Sequence, residues 1–261
     1  MGIVALALLC SAVVVSCKGK KVELKPVKGV LEEPVREGAA PEQVIATMER
    51  HILDQNFEMT LNDTVNNVHV WSLMSCDSVT SSEGFGIVVA KGGRATIFAD
   101  IRHGSNPSAR YNAATGELWF TGVSIEGTGV HTERLYIIRF PEDGPAHLAA
   151  TIDPYEMQEA LIKELKYTTK GEEISLFNGE NELAKVTNTV TDMGGFDDDA
   201  VWLGEQLSYD ISGDQIVVNA IPGVSFVTGK VLHYDDMPTI SAPVTLTDGG
   251  SFTLSNIHIN R

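Results

Sequence analysis

Cysteine is almost missing from this chain. Its 261 residues hold three, Cys10, Cys17 and Cys76, and no two stand at zinc-ligand spacing, so no zinc knuckle is expected to support the fold. Cations are scarce too: 19 Lys and Arg stand against 35 Asp and Glu, a formal charge of −16. A surface that acidic repels phosphate backbones, and no nucleic-acid partner is expected. Glycine, at 24 residues, is far too sparse for a collagen-like chain, while 43% hydrophobic residues are too many for a wholly disordered one. Catalytic spacings are lacking as well. Gly122-Val-Ser124-Ile-Glu-Gly127 is one residue too long for a nucleophile elbow, and no HExxH, P-loop or EF-hand pattern occurs. No cofactor and no metal are expected.

What is present begins with residues 2–17, GIVALALLCSAVVVSC, an uncharged apolar run that Lys18, Lys20 and Lys21 follow. It falls short of the roughly 20 apolar residues of a membrane-spanning helix and suits the apolar core of a secretory signal. Val14-Val15-Ser16-Cys17 resembles the lipobox of bacterial lipoproteins. The resemblance implies cleavage before Cys17, acylation of Cys17, and a lipid-anchored place in the bacterial cell envelope, facing the periplasm or the cell surface. Two or more chains, each buried CH₂ contributing about 0.8 kcal/mol, make such an anchor durable. Cys10 would leave with the signal, so Cys76 would be the one remaining thiol.

Residues 17–40 then read as the lipidated cysteine and a flexible tether, carrying Pro26, Pro34 and Gly38-Ala39-Ala40 before Pro41. Residues 18–37 hold six cations and four carboxylates, which leaves −18 on the remainder. A basic tether beside anionic headgroups and an acidic body held away from them is electrostatically consistent. Residues 41–261 form the body, with 41–153 and 154–261 as candidate lobes.

Two helices are expected in that body. PEQVIATMERHILDQNF, from Pro41, places Val44, Ile45, Met48, Ile52 and Leu53 on one face. Asp153-Pro154-Tyr155-Glu156 offers an N-cap, a first-turn proline and a capping-box carboxylate, with Met157, Ala160, Leu161 and Leu165 as the buried stripe. Elsewhere period-two segments such as FGIVVAK, RATIFADI, GELWFTGV, RLYIIRF, DQIVVNAI and SFTLSNIHI alternate with Gly-, Asn- and Asp-rich turns. Asn178-Gly179 marks a hairpin. The fold class is mainly β: an antiparallel β-roll, jelly roll or sandwich built from repeated hairpins, with two accessory amphipathic helices.

A phrase recurs in these strands: Tyr111-Asn112, Tyr136, Tyr209-Asp210 and Tyr234-Asp235, the first and last pairs each spaced by 25 residues. Such spacing predicts stacked two-strand units. Ala109-Arg110-Tyr111-Asn112, Gly116-Glu117-Leu118 and Thr121-Gly122-Val123, echoed over 199–259, resemble the OstA-like family of periplasmic lipopolysaccharide-transport proteins. The resemblance implies an open β-roll that shelters acyl chains, partnership with lipopolysaccharide or another envelope lipid, and stacking onto other β-roll proteins through edge strands. Its groove candidates are Ala95, Ile97, Ala99, Leu118, Phe120, Leu135, Ile137, Ile216, Val218 and Phe226. For each of these taken singly, a place in a closed sandwich core is the simpler assignment.

Two functions therefore stand side by side: a membrane-anchored lipoprotein that binds or transfers lipid, and a non-catalytic carbohydrate- or protein-binding sandwich. A hydrolase is a third, on thinner grounds. Asp197-Asp198-Asp199 offers oxygens to calcium but reads better as a solvated loop. His233-Tyr234-Asp235-Asp236 holds metal-ligand residue types at a strand end, and Asp100 with His103 would be an acid–base pair at a sheet rim.

Overall fold

The computed structural model describes residues 30–36, 39–48, 55–75, 84–104, 106–127, 130–142, 145–170, 173–187, 196–226, 238–247 and 250–260. The expected signal, Cys17, Cys76 and the His233–Asp236 segment lie outside them.

Five strands, β1 (Val30–Pro34), β2 (Gln55–Asp63), β3 (Val68–Ser75), β4 (Gly84–Lys91) and β5 (Arg94–His103), form an antiparallel sheet in the order β1-β5-β4-β3-β2. The tether expected over 17–40 is thus corrected over its later part: Val30–Pro34 pairs with Phe98–Arg94. One face of this sheet carries the helix α1 (Pro41–Met48), whose Val44 and Met48 pack with Trp71, Leu73, Val88, Ala90, Ala95 and Ile97. The other face carries Val68, Val70, Ile87, Val89 and Phe98. With both faces covered, FGIVVAK is apolar at every position from Ile87 to Ala90, as a doubly buried strand requires.

Beneath it lies a nine-stranded sheet: β6 (Ser108–Asn112), β7 (Glu117–Gly127), β8 (Val130–Arg139), β9 (His147–Ile152), β13 (Phe196–Asp210), β14 (Ile216–Phe226), β15 (Thr239–Leu246), β16 (Phe252–Leu254) and β17 (His258–Asn260). One edge of β8 is shared. Its C-terminal half pairs antiparallel with β9, and His131–Thr132 pair in parallel with Gln206–Leu207 of β13. The nine-stranded sheet takes strands from both sides of residue 153, the candidate lobe boundary. Phe196–Asp210 is a single long strand, so the loop expected around Asp197–Asp199 is corrected; their side chains are outside the described residues.

The helix α2 (Pro154–Glu164) starts as its sequence dictates, with Asp153 accepting from the Tyr155 N–H at 3.0 Å and Pro154 in the first turn. Met157 and Leu161 are buried. A three-stranded meander follows: β10 (Leu165–Lys170), β11 (Glu173–Asn178) and β12 (Asn181–Thr187). Its hairpin turns one residue later than expected, on Gly179-Glu180, with Asn178 and Asn181 as the flanking pair and Gly179 at φ 61°. Positive φ at the first central residue is the glycine-led turn form.

The larger core lies between α2, the meander, one face of β7–β9 and one face of β13–β15, joining Trp119, Leu135 and Ile137 to Leu207, Ile216, Val218 and Ile240. Arg110 on β6 reaches Asp214 in the β13–β14 turn at 3.0 Å. The sheet therefore bends enough to bring its first and later strands back towards each other. The expected antiparallel, mainly β architecture with two helices is what the chain adopts.

Candidate functional site

Three segments far apart in sequence meet at one end of the sandwich. The first is the β2–β3 turn. Asp63 closes it: one carboxylate oxygen accepts from the N–H groups of Val65 (3.1 Å) and Asn66 (3.0 Å), the other from Asn66 Nδ2 (2.7 Å). Asn67 follows in the left-handed region at φ 53°, which asparagine tolerates. The second is the end of β13, where Asp210 accepts from Ser212 N (2.8 Å) and Oγ (2.7 Å). Both turns are Asx turns, in which a short side chain supplies the acceptor that the backbone lacks. The third is β6, a terminal strand of the nine-stranded sheet. Together Leu61–Asn66, Ser108–Tyr111 and Tyr209–Ser212 enclose an open groove of about 780 Å³.

Polar contacts link β6 to the β13–β14 turn beside the groove. Arg110 Nη2 holds Asp214 Oδ1, Asn112 Nδ2 donates to the Asp214 carbonyl at 3.5 Å, and Asn112 Oδ1 accepts from Ala114 N at 3.0 Å. The hydroxyl of Ser212, and then its N–H, hold the Asp210 carboxyl below its usual range. Burial works to raise Asp63, but the Asn66 side chain and the N–H groups of Asn66 and Val65 outweigh it and leave that carboxyl lowered. Both are therefore ionised at neutral pH. Tyr111 forms part of the lining; its ring meets Phe140 edge-on at 5.9 Å, and Lys91 Nζ lies 5.5 Å from its centre.

A smaller hollow of about 290 Å³ brings together Asp100, Arg134, Tyr136 and Asp153. Arg134 is hydrogen-bonded to Asp153, and Tyr136 to the backbone of Arg102. The proposed partner His103 is elsewhere: it is buried, its Nε2 3.1 Å from the Gly86 carbonyl and its Nδ1 3.2 Å from that of Gly104. Asp100 and His103 thus form no acid–base pair. Among the described residues no three His, Cys, Asp or Glu side chains are grouped to hold a metal.

No family model, curated protein or solved structure matches this chain.

The ten groove candidates are not brought together. Ala95 and Ile97 are fully buried under α1, with Ala99 half-buried beside them. Leu118 and Phe120 are fully buried between the two large sheets. Leu135, Ile137, Ile216 and Val218 belong to the third core, at 0–3% exposure. Phe226 lies on β14, but its side chain is outside the described residues. The nine-stranded sheet itself separates Leu118 and Phe120 from Leu135 and Ile137, because register puts them on opposite faces.

The expected 25-residue unit also resolves differently. Tyr111 pairs with Leu118 across a four-residue turn, Tyr209 pairs with Val218 across a longer one, and Tyr136 is in the middle of β8. What Tyr111-Asn112 and Tyr209-Asp210 share is a strand end closed by an Asx turn, and both pairs lie at or beside the groove. That phrase was the one signal in the sequence that led there.

Proposed function

We propose that the chain is an envelope lipoprotein, anchored through acylated Cys17, whose β-sandwich body is a non-catalytic module that binds glycans. The observation that supports this reading is the 780 Å³ groove with two oriented Asx turns as walls. Its lining mixes amides, hydroxyls and carboxylates with Leu61, Ile211 and the Tyr111 ring. Vicinal sugar hydroxyls need donors and acceptors held at fixed angles, and the C–H face of a sugar ring needs an apolar or aromatic surface. An acyl chain asks instead for a continuous apolar lining, and eight of the ten candidate side chains for such a lining are buried in closed cores. The lipobox supports the anchor, and the charge split between residues 18–37 and the body suits a domain held off an anionic surface.

The test is direct. Full-length protein in detergent is screened on a panel of immobilised oligosaccharides, and hits are measured by calorimetry. Saturable binding that Ser108→Trp weakens at least tenfold is expected, because Ser108 is exposed on β6 and an indole there fills the groove. No saturable binding, or binding indifferent to Ser108→Trp, overturns the reading. For the anchor, Cys17→Ser is expected to abolish incorporation of an alkynyl fatty acid.

A further inference from the structure

Anions outnumber cations nearly two to one in this chain, so a cation left without a carboxylate needs explaining. Lys91 is such a residue: among the described residues its ammonium has no ion-pair partner and lies 5.5 Å from the Tyr111 ring centre and 5.6 Å from that of Phe140. Directly across the β4–β5 hairpin, its cross-strand partner is Arg94. Like charges placed opposite each other in an antiparallel pair are destabilising, and a chain this rich in carboxylates could easily have avoided the arrangement. Arg94 is only loosely compensated, with Glu32 3.8 Å away.

Both cations line one concavity of about 220 Å³ together with Phe140 and Pro141, and among the described residues Glu142 is the one carboxylate in its lining. The Gly92-Gly93 turn between them has φ of 57° and 74°, and nothing stands within 4 Å of where a Cβ on Gly92 would be. The hairpin tip is thus open on that side. Tyr111 joins this pocket to the groove: its ring is in contact with Lys91 and Phe140 of the pocket, and it forms part of the groove lining.

We infer that the Lys91/Arg94 pocket receives the carboxylate of an acidic sugar, so that the module's ligand is an anionic glycan whose neutral part occupies the groove beyond Tyr111. This rests on the glycan reading above. A carboxylate between the two cations relieves their mutual repulsion, an interaction the free protein lacks. It also offsets the unfavourable field of an acidic body, which otherwise disfavours any anion.

The experiment uses full-length protein in detergent at low salt, titrated with an aldotetraouronic acid, in which one glucuronic acid is joined to three neutral xylose units, and with its methyl ester, which lacks the negative charge. The acid is expected to bind at least tenfold more tightly, and in Lys91→Gln/Arg94→Gln its affinity falls to that of the ester. The double variant removes a like-charge pair, so its melting temperature is expected to match or exceed the parent's, which separates lost binding from lost folding. Equal affinities for acid and ester, or a preference that survives in the double variant, overturn this inference and leave the groove reading intact. Binding of neither form, together with an empty oligosaccharide panel, overturns both.

Discussion

The hydroxyl of Tyr136 on β8 meets both backbone groups of Arg102 on β5: it accepts from the N–H at 3.1 Å and donates to the carbonyl at 2.9 Å. Arg102 sits just past an irregularity where three β5 residues bulge between the pairs Phe98–Ile87 and Arg102–Phe85. A bulge leaves backbone groups outside the ladder, and one side chain from the neighbouring sheet satisfies two of them. Tyr136→Phe removes both bonds without changing the packing of the ring. The expected loss is about 1–3 kcal/mol, read as a lower urea midpoint with an unchanged slope.

Glu117 is buried at the start of β7, where it accepts from Arg139 Nε at 2.9 Å and Trp119 Nε1 at 3.3 Å. Arg139 is its cross-strand neighbour. Arg139→Met strands a buried carboxylate, at an expected cost of about 3 kcal/mol, whereas Glu117→Leu/Arg139→Met is expected to lie closer to the parent. Chemical denaturation of the three proteins checks the order; a double variant weaker than the single contradicts it.

His103 is packed against glycine backbones. A Cβ on Gly84 would stand 1.9 Å from its Cε1, and one on Gly122 2.4 Å from its Cβ. Gly84→Ala is therefore expected to destabilise by about 2 kcal/mol or more through overpacking, and a second substitution, His103→Ala, should recover part of that loss. At Gly92 a Cβ meets open space, and only the positive φ opposes alanine there, at about 1 kcal/mol. Thermal melts of Gly84→Ala and Gly92→Ala should differ accordingly.

The same burial gives His103 a pH signature. Loss of solvent holds its imidazole below the ordinary value, only partly offset by the Gly104 and Gly86 carbonyls and by Glu58; burial acts likewise on His69, against Asp63. A lowered folded value means that the unfolded chain binds the proton first. Stability is fully present above about pH 6.5, the unfolded value, and is lost as pH falls through the folded ones. Urea midpoints measured from pH 7.5 to 5 should decline, and His103→Gln should make the decline shallower.

How much of this was legible in sequence depends on the range of the determinant. Asp153-Pro154 starts a helix because the cap and the proline act within one turn, and the structure keeps that boundary. Period-two strands and glycine turns gave the β class for the same local reason. The face of each strand was not legible. From Ile87 to Ala90 and from Leu135 to Ile138 every position is buried, so alternation carries no information about which layer a residue enters. The groove was hidden because residues 61–66, 108–111 and 209–212 meet only after the long sheet has bent. The charge partners Glu117 and Arg139 depend on a register that no local pattern states.

Ile97 and Leu118 decide between the two ways of using these cores. Were they the lining of an acyl-chain trough, an aspartate at either would weaken lipid binding and leave the fold standing. Both are fully buried, Ile97 under α1 and Leu118 between the sheets. A carboxylate there must be desolvated without a partner, at a cost of several kcal/mol, comparable with the whole stability of a domain. Ile97→Asp and Leu118→Asp are expected to abolish cooperative unfolding, read by circular dichroism melts of the full chain. Folded variants that have lost saturable binding of a solvatochromic fatty-acid probe shown by the parent would return the function to lipid carriage.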